Sequence, residues 1–224
     1  MPKLPLSRFL QPSDVASLSD RLQALVEDRF AARSPQHTAR KIEYTTVLEA
    51  LEQMSLERPL KEVIDIGGAG SPLPLMVQDT LGLRYPPPVI DPEIGNGTDL
   101  HGYLQLNPRL CDVVLCISVI EHVKDEHQFL YDLSQLVAPG GWLILTMDAV
   151  NQGSGTPDTY HFHWMRERIY GYNDRERVRN TLRLWNLHLW GPSGCQLVSD
   201  VAPTEPLVHD YSFFSLVFQK GVRP

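Results

Sequence analysis

The sequence predicts an α/β fold: a doubly wound, largely parallel sheet with helices on both faces, entered through two helices and closed by an antiparallel pair. Three observations carry that expectation. Short β-branched runs alternate with amphipathic stretches, glycine and proline mark the breaks between them, and two strand-like runs end the chain with no helix between them. A length of 224 residues suits one domain with an appended cap.

Residues 13–30 place Val15, Leu18, Leu22, Leu25 and Val26 near helical spacing, behind Ser13 as a suitable N-cap. Residues 38–55 continue with Ile42, Val47, Leu48 and Leu51 on one broad face. Two helices cannot build a core alone, so residues 1–60 are expected to pack as an N-terminal helical cap on the rest of the chain. Glu62-Val63-Ile64-Asp65-Ile66 then reads as a strand ending in Gly67-Gly68-Ala69-Gly70. Ser71-Pro72 starts a helix, with serine as cap and proline at the tolerated first position, and Gly82 stops it. Val89-Ile90-Asp91 is a second strand and Asp112–Ile117 a third, strongly buried one. A helix over 125–138 puts Phe129, Leu130, Leu133, Leu136 and Val137 inward, Pro139-Gly140-Gly141 breaks it, and Trp142–Met147 is the next strand. Residues 174–190 read as an amphipathic helix with Val178, Leu182, Trp185 and Leu189 on one face. Gln196–Ser199 and Ser212–Phe218 close the chain as an antiparallel edge pair.

Composition removes several classes. With 20 Lys and Arg against 27 Asp and Glu the formal charge is −7, which argues against a nucleic-acid partner, since phosphate binding normally needs a basic surface. No run of 18 apolar residues predicts a membrane span, and the start of the chain lacks the apolar stretch of a secretory signal. Cys111, Cys116 and Cys195 are odd in number and show no C-x-x-C spacing, so neither a disulfide framework nor a zinc ribbon is expected. The expected setting is cytoplasmic.

The chemistry concentrates at the strand–glycine–helix junction. Glycine lets the backbone turn sharply and lets a ligand approach where a Cβ would stand, and the helix N-terminus offers free N–H groups. Asp91 ends the next strand, where a carboxylate can accept both hydroxyls of a ribose; ligands of open α/β sheets bind at these strand ends. The nearest G-x-G-x-x-G frame places Leu73 at its third glycine, and no G-x-x-x-x-G-K-S/T occurs.

Asp65-Ile66-Gly67-Gly68-Ala69-Gly70-Ser71-Pro72, Val89-Ile90-Asp91, Thr98-Asp99-Leu100, Asp112 through Glu121-His122-Val123, and Pro139 through Leu145 together resemble, in order, the motifs of the class I S-adenosylmethionine-dependent methyltransferases. The likeness is to the type 11-like methyltransferase domain and runs from about Glu43 to the C-terminus. It implies a Rossmann-like sheet of seven strands with an antiparallel C-terminal strand, S-adenosylmethionine as cofactor, and methyl transfer to a small polar molecule, at oxygen. It divides the chain into a cap, 1–60, and a methyltransferase domain, 61–224, in which 151–190 is an acceptor-side insertion. Carried over residue by residue, Asp65, Gly67, Gly68 and Gly70 form the cofactor turn, Asp91 holds the ribose, Asp99 faces the adenine amino group, and Ser118 contacts the cofactor. Against the usual D-x-G-x-G-x-G pattern, Ala69 and Ser71 stand at the second and third glycine positions. Asp99 comes so soon after Asp91 that the helix after the second strand must be very short or absent.

Such a transfer is an in-line displacement, so orientation is the enzyme's main contribution, and a hydroxyl acceptor also calls for a base. His122, after the third strand, is the first candidate to position or deprotonate the acceptor; His161 and His163, on an extended segment after the following strand, are the others. The two latter histidines lack a third ligand at fixed spacing, so no metal is expected. Tyr44 is a candidate cofactor contact from the cap. Arg175, Arg179 and Arg183 recur every four residues, which suits either a solvated face or an acceptor such as a sugar or phosphorylated metabolite. Two alternatives stand beside the transferase: a catalytically inactive member of the fold acting as an interaction protein, and a nicotinamide-dependent oxidoreductase.

Overall fold

A computed structural model describes residues 19–31, 38–94, 97–149, 160–162, 165–167, 170, 172–190, 196–197 and 212–222. Helices α1 (Asp20–Ala31) and α2 (Thr38–Glu57) precede β1 (Val63–Ile66), α3 (Leu73–Leu81), β2 (Val89–Ile90) and α4 (Leu100–Gln105). Then come β3 (Cys111–Ile117), a 3-10 turn (Ile120–His122), α5 (Glu126–Leu136) and β4 (Val137–Ala149). The remainder is β5 (Tyr160–Phe162), β6 (Met165–Glu167), α6 (Tyr172–Leu184), β7 (Leu187–Leu189), β8 (Gln196–Leu197) and β9 (Ser212–Lys220).

The mixed sheet is a six-strand path, β2-β1-β3-β4-β9-β7, with the two-residue β8 pairing β9 off that path. Its first four strands are parallel, and β9 runs antiparallel to both β4 and β7. One face packs Leu22, Val26, Leu48, Leu51 and Met54 of α1 and α2, with Met76 and Val77 of α3, against Val63, Val113 and Leu115. The opposite face packs Leu130, Leu133 and Leu136 of α5 and Val178 and Leu182 of α6 against Ile64, Val114 and Leu143. Alternation along each strand thus feeds two separate cores. The chain passes from β2 at one edge, over β1, to β3, so the strand order reverses between β1 and β3. A crevice opens beyond the carboxyl ends of strands at such a reversal.

Three sequence expectations need correction. The α6 helix stops at Leu184, not 190; Asn186 adopts a left-handed φ of 63°, and Leu187–Leu189 turns back as an edge strand on β9. Consequently β9 lies inside the sheet between β4 and β7, not at its edge, because its Phe213, Leu216 and Phe218 are buried. The β4 strand starts at Val137 and runs through Pro139-Gly140-Gly141, where Gly141 has Cys111 and Asp112 carbonyls within 3.0 Å of where a Cβ would stand. Beside the six-strand path, β8 pairs β9 off it, and a small β5–β6 hairpin forms separately. The outer edge strand, β2, is two residues long and flanked by Pro86-Pro87-Pro88 and Pro92, which blunts it against further pairing. The expected N-cap Ser13 and the apolar Val15 and Leu18 lie outside the described residues.

Candidate functional site

The turn after β1 is shaped by the atoms a side chain would strike. Gly67 has a φ of 80°, and a Cβ there would lie 2.4 Å from Val119 Cγ2. At Gly68 a Cβ would lie 2.0 Å from Asp65 Oδ2, so the chain folds back over that carboxylate. Gly70 is also left-handed, at 69°, but its outer side is open, with nothing within 4 Å. Ala69 and Ser71, the departures from an all-glycine pattern, are accommodated by this arrangement because the close approaches fall at Gly67 and Gly68. Ser71 Oγ accepts from Leu73 N–H at 3.1 Å, but the N-cap position of α3 is Pro72, whose carbonyl takes the first helical bonds, rather than the expected Ser71.

Asp65 lies below this turn and is 1% exposed. Its Oδ2 has no hydrogen-bond partner among the described residues. Burial, reinforced by the nearby Asp91, pushes its pKa up to about 7. Asp91 ends β2 and is also buried; Oδ2 accepts from Ala69 N–H at 3.0 Å and Oδ1 from Glu93 N–H at 2.8 Å. Both carboxylates are therefore fixed against the same turn. Asp99 stands apart from it as the N-cap of α4, its Oδ1 accepting from Gly102 N–H at 2.7 Å. Among the described residues between Asp91 and Asp99 there is no helix, as that short spacing suggests; α4 begins only after Asp99.

A cleft of about 260 Å³ opens at the strand-order reversal, lined on one side by Asp65 and the turn from Gly67 to Ser71, and on the other by Ile117 and Ser118 beyond β3. Arg40 and Tyr44 of α2 form its third wall. Tyr44 Oη lies 2.9 Å from Ser71 Oγ, tying α2 to the glycine turn, and burial raises the pKa of this phenol. Ser118 takes a left-handed φ of 52°, held by N–H bonds to the backbone oxygen and Oγ1 of Thr146, and its Oγ donates to Glu43 Oε1 at 2.8 Å. Glu43 Oε2 accepts from Arg40 Nη1 at 2.6 Å. Sequence reading missed Arg40 and Glu43. A signal was available in α2, where Glu43, Thr45 and Thr46 are buried beside the apolar residues and blur the one-sided pattern of an ordinary surface helix.

His122 ends the 3-10 turn beyond β3, exposed, and is not among the residues lining the cleft. Partial loss of water around the ring lowers its pKa; Asp148 and Glu93 pull the other way and Arg40 adds to the lowering. The imidazole is therefore neutral near pH 7 and able to accept a proton. Beside it in sequence, Glu121 is buried; its Oε1 accepts from Asp148 N–H at 3.2 Å, and desolvation, with Asp148, raises its pKa strongly. Tyr170 donates to Glu126 Oε2 at 2.8 Å, and Arg177 also binds Glu126, which fastens α6 to the start of α5. His161 lies in β5, paired with Arg166 of β6; its side chain and the whole of His163 lie outside the described residues. In the arginine row of α6, Arg175 and Arg179 both bind Glu176. No cluster of three or more His, Cys, Asp or Glu able to hold a metal occurs among the described residues. No described helix is long and apolar enough to cross a membrane.

A family model described as a methyltransferase domain matches residues 36–192. Two curated ubiquinone biosynthesis O-methyltransferases match a short segment: that of Leptothrix cholodnii at 46% identity over 39 residues, 17% of each chain, and that of Rickettsia typhi at 45% over 40 residues, 18% of this chain and 16% of the relative. The match thus spans about a sixth of those relatives. Among solved structures, the 1,6-didemethyltoxoflavin-N1-methyltransferase of Burkholderia thailandensis, with bound 1,6-didemethyltoxoflavin and S-adenosylhomocysteine, aligns at TM-score 0.59 and 15% identity, over 95% of this chain and 92% of that one. The (4+2)-cyclase SpnF aligns at TM-score 0.55 and 12% identity over the whole of both chains. At these identities the likeness is one of fold.

Proposed function

The chain belongs to the methyltransferase domain family; from that premise we propose that it uses S-adenosylmethionine and methylates a small polar acceptor at oxygen. The observation that carries the reading is the cleft at the β1/β3 reversal, walled by a bare glycine turn with two buried carboxylates fixed against it. These residues fit the cofactor. The open side of Gly70 leaves room over the turn, Asp65 Oδ2 is a buried oxygen without a partner beside a cleft that receives a cationic ligand, and Asp91 stands at the strand end.

The cofactor supplies an electrophilic methyl group on a positively charged sulfur. Asp91 holds the ribose hydroxyls, Asp99 offers its second carboxylate oxygen to the adenine amino group, and Gly67, Gly68 and Gly70 admit the ligand to the backbone. Arg40 and Ser118 meet its amino-acid end, and Asp65 balances its positive charge. His122, neutral near pH 7, takes the acceptor's hydroxyl proton, with His161 and His163 beside the acceptor. Residues 1–60 form the cap over the cofactor side of 61–224, and 151–190 the acceptor side. The short curated matches carry names that specify O-methylation, which supports oxygen as the methylated atom. Two of the three row arginines of α6, Arg175 and Arg179, are already held by Glu176, which favours a neutral hydroxyl compound as the acceptor class.

Incubating the protein with methyl-labelled S-adenosylmethionine and fractionated small molecules from a cell extract tests this. Label in a low-mass product, placed on oxygen by mass spectrometry, is the expected result. Label confined to protein or RNA, or placed on nitrogen, would overturn the acceptor assignment.

A further inference from the structure

We propose that Glu43 is a positioning residue that aims Arg40 at the amino-acid end of the cofactor, a role that rests on the methyltransferase reading above. Glu43 is 1% exposed, yet each of its oxygens has a partner from a different part of the chain. Oε2 takes Arg40 Nη1 at 2.6 Å from one turn earlier in α2, and Oε1 takes Ser118 Oγ at 2.8 Å from the loop beyond β3, 75 positions away. Arg40 and Ser118 both line the cleft. The carboxylate is thus a buried strut spanning the two walls that face the glycine turn.

Two properties make it more than packing. A guanidinium is a planar fork whose direction is set by whichever carboxylate holds one of its prongs, so Glu43 fixes where Arg40 points. The far end of the strut is itself locked, because Ser118 sits in a left-handed conformation held by two N–H bonds to Thr146. An arginine aimed in this way recognises a carboxylate; it contributes nothing to a ligand without one.

The test compares two ligands by calorimetry: S-adenosylhomocysteine, which carries the amino-acid tail, and 5′-methylthioadenosine, which lacks it. Glu43→Gln keeps the side-chain volume and one acceptor oxygen but removes the charge. It is expected to weaken S-adenosylhomocysteine about tenfold while changing 5′-methylthioadenosine less than about twofold. Glu43→Asp, which keeps the buried charge but withdraws it by one methylene, is the second variant and is expected to show the same selective loss. Because Glu43 acts through Arg40, Arg40→Met combined with Glu43→Gln should lose much less than the sum of the two single losses. Equal losses for both ligands, no loss, or additive losses in the double variant would overturn the proposal. Failure of the unaltered protein to bind either ligand is a different result, and would remove the cofactor reading itself.

Discussion

Replacing Asp65 with asparagine isolates the electrostatic strain beneath the glycine turn. Asp65 is buried, its Oδ2 has no partner, and its pKa rises from 3.8 to about 7, chiefly through burial and secondarily through Asp91. The folded pKa lies above the unfolded one, so the acid binds a proton more tightly when folded. Its favourable contribution is complete below about pH 4 and is lost as pH climbs through about 7. The whole interval amounts to a ceiling of about 4 kcal/mol, and the part between pH 5 and pH 7 to about 2–3 kcal/mol. Asparagine imitates the neutral acid at every pH. In urea unfolding of the ligand-free protein, the stability of Asp65→Asn relative to the unaltered chain should therefore rise by about 2–3 kcal/mol from pH 5 to pH 7 and then level off. Two pH–stability curves that run parallel across this range would refute the reasoning. The same carboxylate should ionise when a sulfonium ligand binds, so S-adenosylmethionine binding near pH 6 should release close to one proton. Calorimetry in buffers of different ionisation enthalpy reads that release, and Asp65→Asn should abolish it.

Three further substitutions probe the rest of the site. Gly68→Ala drives a Cβ to within 2.0 Å of Asp65 Oδ2, whereas Gly70→Ala meets only a left-handed backbone in open space; thermal unfolding should fall markedly for the first and by about 1 kcal/mol for the second, and the reverse ranking would contradict the turn geometry. His122→Ala should lower turnover of the labelled acceptor about 100-fold and remove the acidic limb of the rate profile, whose midpoint lies below the ordinary histidine value because partial desolvation lowers its pKa; an unchanged limb would exclude His122 as the base. Arg177→Met leaves the buried Glu126 without its guanidinium and should cost about 1–3 kcal/mol in urea unfolding, the lower part of that range reflecting the half-exposed arginine; an unchanged denaturation midpoint would show that the pair adds nothing.

The parallel half of the fold was legible because its strands announce themselves: Val63–Ile66 and Cys111–Ile117 are short apolar runs bounded by turn residues, and both are central. The C-terminal half was harder to read. Trp185 and Leu189 continue the helical spacing of Val178 and Leu182, yet a single left-handed residue, Asn186, ends the register and sends Leu187–Leu189 into the sheet. Sequence periodicity carries no signal for such a stop, since asparagine is only one of several residues that tolerate that conformation. Asp65, Gly67, Gly68 and Ser118, which line the cleft, were legible as candidates because they lie at the end of, or just after, strands whose order the sequence shows. Arg40 and Glu43 were not, because their positions depend on how α2 packs across the sheet, a contact made over more than seventy residues of chain. Asp99, expected to face the adenine, serves in the structure as the cap of α4, a local role that its spacing from Asp91 did not signal.

Binding of S-adenosylhomocysteine, measured by calorimetry on the intact chain and on Asp91→Ala, reaches the central claim most directly. One site per chain, weakened at least tenfold when the Asp91 carboxylate is removed, is the predicted result. Equal affinity in the two proteins, or no heat of binding in either, would contradict a cofactor held between the glycine turn and the end of the second strand.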